Sequence, residues 1–120
     1  MQMEYSVESL VECRSNLVNL RIEARHLKAS IDNTKFIVER DAIEAASGNY
    51  GKNAEERDRF LSKALLESSD YRDISLKYQD ILDSIEREET QLEILRDLRR
   101  ERETLQRDRM IESRQEYDQP

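Results

Sequence analysis

Residues 9–45, SLVECRSNLVNLRIEARHLKASIDNTKFIVERDAIEA, decide how this chain folds. Apolar or small residues recur in them at alternating steps of three and four. Leu10, Cys13, Leu17, Leu20, Ala24, Leu27, Ile31, Thr34 and Val38 make one continuous seam that ends at Ala42 and Ala45. This is the a/d pattern of a coiled coil held for about five heptads. A helix over 6–46 would be roughly 60 Å long at 1.5 Å per residue. Ser6, with Glu8 and Glu12 after it, suits its start, because early carboxylates complement the helix dipole. Val18, Ile22, Ala29, Phe36 and Ile43 form a second apolar ridge on another side of the same helix. One partner helix would not cover both ridges.

Working outward, Ser47-Gly48-Asn49-Tyr50-Gly51-Lys52 is the first credible interruption. Gly48 is expected to take the left-handed conformation that closes the first helix, with Gly51 as a second flexible point. Asn53 reads as an N-cap with Glu56 three residues on, the capping-box spacing. A short helix over 53–67 follows, with Phe60, Leu61, Ala64 and Leu65 on its apolar side. Ser68-Ser69-Asp70 reads as a break capped by Ser69 or Asp70, although a kinked continuous helix fits as well.

A last helix over 70–112 carries a second heptad seam through Tyr71, Ile74, Tyr78, Ile81, Ile85, Leu92 and Leu95. Leu82 widens this seam and Glu88 interrupts it. Past Leu98 it decays: Arg99 and Arg102 stand where apolar residues should be, and Leu105, Met110 and Ile111 are scattered. The region from Arg99 is expected to fray or to order on a partner, and 113–120 to be a disordered tail. The fold class is therefore all-α: a long antiparallel helical hairpin or coiled coil with a short connecting helix.

Composition agrees with long helices. Charged residues make up 39% of the 120, aromatics 6%, and the single Pro is Pro120. With 37% hydrophobic residues, a monomer would have a thin core of the kind a second copy often completes, so a homo-oligomer, favouring a dimer, is expected. A net charge of −7 disfavours direct nucleic-acid binding, which needs an excess of Lys and Arg facing phosphate. One Cys suits a reducing compartment, and no apolar run approaches a membrane span. The start, Met1-Gln2-Met3-Glu4-Tyr5, lacks the pattern of a signal peptide, so a cytoplasmic protein is expected.

Chemistry-bearing residues are sparse. His26 is the only histidine, and no set of ligands at metal-binding spacing surrounds it. Cys13 occupies a seam position where a small thiol packs well, with inter-chain pairing in vitro the alternative. Glu86, Glu88, Glu89 and Glu93 interleave with Arg87 and Arg96 at helical spacing, the pattern of a salt-bridged face. No Gly-rich phosphate loop is present. No enzyme and no cofactor is expected. Arg96, Arg99, Arg100 and Arg102 form a locally basic cluster, either a contact for phosphate or acidic protein or a solubilising face. Together with Val18, Ile22, Phe36 and Ile43 they are the candidate partner-binding residues.

The run Gly51-Lys52-Asn53-Ala54-Glu55-Glu56-Arg57, followed by Phe60-Leu61, Ala64-Leu65, Tyr71 and an alternating Glu/Leu helix, resembles a loose group of small helical proteins encoded by phages and prophages. The resemblance covers roughly residues 30 to 95, and most members lack an assigned activity. It implies an accessory role in the host cytoplasm beside recombination and single-strand-binding proteins, and it carries over no catalytic residues. The expected function is an interaction module binding a component of DNA replication or recombination. An acidic inhibitor of a host nuclease or defence protein is the alternative.

Overall fold

The computed structural model describes residues 5–118, all of whose regular structure is helical: α1 (Val7–Ala45), α2 (Ala54–Glu67) and α3 (Ser69–Asp118). The expected all-α helical hairpin is the fold observed. Each helix starts on a specific hydrogen bond. Ser6 caps α1, its Oγ accepting the Ser9 N–H at 3.0 Å while its carbonyl accepts the Leu10 N–H. Asn53 caps α2 by accepting the Glu56 N–H at 2.9 Å. The Glu56 carboxylate reaches back as in a capping box, but it takes the Lys52 N–H, one residue further out.

The closure of α1 differs in detail from the expectation at Gly48. Ser47 is already left-handed at φ 53°, and Gly48 follows at φ 76°. The Gly48 N–H reaches the Ile43 carbonyl and the Ser47 N–H reaches the Glu44 carbonyl, which together are a Schellman closure with Ser at the strained position. Gly51 has φ 156°, and a Cβ there would come within 2.7 Å of the Arg57 backbone nitrogen. Glycine is required at that point because the turn presses against the first turn of α2.

Ser68, rather than Ser69 or Asp70, makes the break between α2 and α3. Its extended backbone and its N–H to the Leu65 carbonyl end α2. Its Oγ and carbonyl then accept the Tyr71 and Arg72 N–H groups and start α3. A continuous kinked helix is thereby excluded. The disordered tail expected from residue 113 is a second difference, since α3 continues to Asp118. Its last turns are rich in Arg, Glu and Gln, which keep helix propensity where no seam exists. Gln119 and Pro120 lie outside the described residues.

The fold divides into two compact units. One combines 1–19 with 85–120, and the other is 20–84. In the first, Leu10, Cys13 and Leu95 form a buried cluster with Tyr5 and Leu92 packed against it, and Leu17 is buried beside Cys13 on the same seam. In the second, Ala24 and Ile31 are buried on α1. Half-buried side chains there include Leu20, Leu27 and Val38 of α1, Phe60, Leu61 and Leu65 of α2, and Tyr71, Ile74, Tyr78 and Ile81 of α3. Tyr50 folds back onto Phe60 with ring centroids 5.8 Å apart, tying the turn to α2.

Candidate functional site

Taking the α1 seam residues Leu10, Leu17, Ala24 and Ile31 as heptad position a fixes the remaining faces of this helix. Val11 and Val18 fall at b, and Ile22, Ala29, Phe36 and Ile43 fall at f, one per heptad. Those two columns lie on the side of the helix away from the seam. Val18, Ile22 and Phe36 are 53%, 41% and 65% exposed, so the second ridge is uncovered within the chain. Ile43 is half-buried, and its carbonyl is used in closing α1, so the ridge ends before the turn.

The four candidate arginines are on α3 and exposed. Arg99 donates to the Glu103 carboxylate at 3.1 Å, and Arg100 lies 3.6 Å from Asp97. Both are solvent-facing pairs within one helix, worth a few tenths of a kcal/mol at most. At 100° per residue, Arg96, Arg100, Arg107 and Arg114 share one face, while Asp97, Glu101, Asp108 and Glu112 share another. From Arg99 to Arg114 every side chain is exposed, including Leu105, Met110 and Ile111. This segment holds six Arg against four carboxylates. The part of α3 before it, 69–98, holds nine carboxylates against four cations. One helix therefore joins an acidic half seated on the seam to an Arg-rich half whose side chains from Arg99 to Arg114 are exposed.

A column not singled out as a candidate becomes visible once the seam is fixed. Arg14, Arg21, Lys28 and Lys35 occupy successive e positions beside it, all exposed. Their seven-residue spacing was the available signal, masked by the interleaved carboxylates. Lys28 and Lys35 pair with Asp32 and Glu39 at 3.5 and 4.0 Å, one turn on.

Glu88, the interruption in the α3 seam, faces Cys13. The thiol lies 3.3 Å from both the Glu88 carbonyl and its Oε2, and donates its proton to them. Burial, the hydrogen bond to Glu88 and the charge of Glu88 all push the Cys13 thiol above its ordinary value. A buried, protonated thiol is a poor nucleophile, so Cys13 serves packing and helix pairing. The small polar cleft beside it is lined by Ser9, Glu12, Asn16, Glu88 and Gln91 and brings no base to the thiol other than a carboxylate. His26 is exposed on α1. Among the described residues no group of three His, Cys, Asp or Glu side chains is placed to hold a metal ion, and no helix is long and apolar enough to cross a membrane.

A second concavity, between α1 and α2, is lined by Ala42, Ala45, Ala46, Phe60, Lys63, Ala64 and Glu67. Its alanines leave room where the two helices meet, with Lys63 and Glu67 at the rim. Comparison of the chain with protein-family models, with curated proteins and with solved structures gives no match.

Proposed function

We propose that this chain is a non-enzymatic interaction module of the phage accessory kind, which docks another protein through the projecting end of α3. One observation carries the reading: residues 99–114 are helical, yet every side chain is exposed. An isolated helix of this length is marginal in water, because most helical stability comes from packing one face against a neighbour. A segment kept in that condition, with Arg100, Arg107 and Arg114 along one face and Glu101, Asp108 and Glu112 along another, suits a partner that supplies the missing neighbour. Arginine adds bidentate recognition of carboxylate or phosphate to that contact. A component of DNA replication or recombination, in the cytoplasm of the host, is the proposed partner.

The test is co-purification from infected and uninfected lysate after nuclease treatment, using the full chain and the R99E/R100E/R102E variant. The wild type should retain a discrete protein that the variant loses while its circular dichroism is unchanged. Equal recovery by both would contradict docking through this arm. A gel-shift with single- and double-stranded DNA at low salt separates direct nucleic-acid binding, for which no retardation is expected.

A second reading rests on the acidic half of α3. Nine carboxylates against four cations over 69–98 could occupy the basic channel of a host nuclease or defence protein. Its signature is a steep loss of affinity with salt, and a complex indifferent to salt would remove it.

A further inference from the structure

The exposed column of α1 within 20–84 has a symmetry that the rest of the helix lacks. Ile22, Ala29 and Phe36 are successive f positions, about 10.5 Å apart along the axis. Ala29 is central, with a large apolar side chain one heptad away on either side. The neighbouring b column places Arg25 just before Ala29 and Asp32 just after it, at nearly equal distances. Arg25 is exposed and has no ion-pair partner among the described residues. Among the described residues, Asp32 pairs with exposed Lys28 at 3.5 Å.

We propose that this face binds a second copy of the chain, with the two α1 helices antiparallel about a twofold axis at Ala29. In that arrangement Ile22 of each copy lies against Phe36 of the other, and the small Ala29 side chains let the helices approach closely. A twofold axis across two antiparallel helices brings like flanks together, so b faces b. Arg25 of each copy then meets Asp32 of the other, and the contact makes two equivalent ion pairs. A parallel pairing would instead set b against c, so that Arg25 and Asp32 face His26 and Asn33 of the other copy and neither ion pair forms. The charge pattern therefore selects both a second copy as the occupant and its direction. A contact of about four helical turns falls below the roughly 1,200 Å² of a standard stable interface. A dimer in the micromolar range is expected, separate from docking by the α3 arm.

Sedimentation equilibrium of the full chain, up to about 500 µM, tests the association. Wild type should show a monomer–dimer equilibrium, and Phe36→Ser should be monomeric with unchanged helicity. Arg25→Asp and Asp32→Arg should each weaken the dimer about tenfold, and the double variant should recover it. Register is read by oxidative cross-linking in a Cys13→Ala background. Ala29→Cys should link to itself, whereas Ile22→Cys should link to Phe36→Cys on mixing and poorly to itself. A wild type that stays monomeric throughout, a double charge variant that fails to recover, or Ile22→Cys that links to itself as readily as Ala29→Cys, would each overturn the proposal.

Discussion

From Ser69 to Leu98, α3 has partial or full burial at every a and d position: Tyr71, Tyr78, Ile85 and Leu92 at a, and Ile74, Ile81, Glu88 and Leu95 at d. From Arg99 to Arg114 the same positions are exposed, and three of them are the arginines Arg99, Arg102 and Arg109. Backbone geometry is helical throughout. The difference shows that local propensity is enough to continue this helix, while tertiary burial ends with the seam. The halves also differ in charge, the seated one acidic and the projecting one rich in arginine. The helix changes both properties near Leu98, with one half packed into the hairpin and the other exposed.

The largest test of that division is a matched pair of truncations. Leu95 is 3% exposed in the buried cluster, whereas Leu105 is 57% exposed. Leu95→Ala should lower unfolding stability by about 3 kcal/mol in urea, and Leu105→Ala should stay within about 0.5 kcal/mol. Comparable losses would mean that the projecting half has a tertiary neighbour.

The turn that returns the chain toward α1 comes next. Gly51→Ala should destabilise by about 2 kcal/mol, since it combines a disfavoured backbone angle with a clash against the start of α2. Gly48→Ala meets open space at φ 76° and should lose only about 1 kcal/mol. Thermal or urea unfolding of the two variants side by side reads the difference, which is due to the close approach at Gly51.

Glu88 sharpens the comparison from within the seated half. Glu88→Leu completes the seam opposite Cys13 and removes a half-buried carboxylate. A gain of about 1 kcal/mol is expected, and a loss would mean that the thiol–carboxylate contact outweighs the missing apolar packing.

The smallest effect is a pH dependence. The folded thiol pKa of Cys13 is raised above its ordinary value of 9.0, so the native state holds this proton more tightly than the unfolded chain. Its contribution is complete below the ordinary thiol pKa and declines as pH rises toward the raised folded value. Wild type should therefore lose stability relative to Cys13→Ala between pH 8 and 10 in urea titrations. A pH-independent difference would show that Cys13 titrates alike in both states.

Much of this fold is legible from spacing alone. The α1 seam, the N-cap at Asn53 and the decay after Leu98 follow from which residue types recur at which step. The closing details were less accessible because they depend on backbone angles and competing acceptors. Ser47 precedes a glycine that could have taken the left-handed position by itself. Ser68, Ser69 and Asp70 are all competent caps, and only the extended backbone at Ser68 selects among them. The role of Glu88 required knowing that Cys13 lies across from it. The exposed ridge was visible as a second apolar period, but the central position of Ala29 between Ile22 and Phe36 emerges only once the seam fixes the heptad phase.

Hydrogen exchange resolved along α3 tests the division of this helix most directly. Amides from Tyr71 to Leu98 should exchange slowly, through unfolding of the hairpin. Those from Leu105 to Arg114 should exchange orders of magnitude faster, through local helix opening without loss of the hairpin. Equal protection along both halves in the isolated protein would contradict the account, because it would require a neighbour for a segment whose side chains all face solvent.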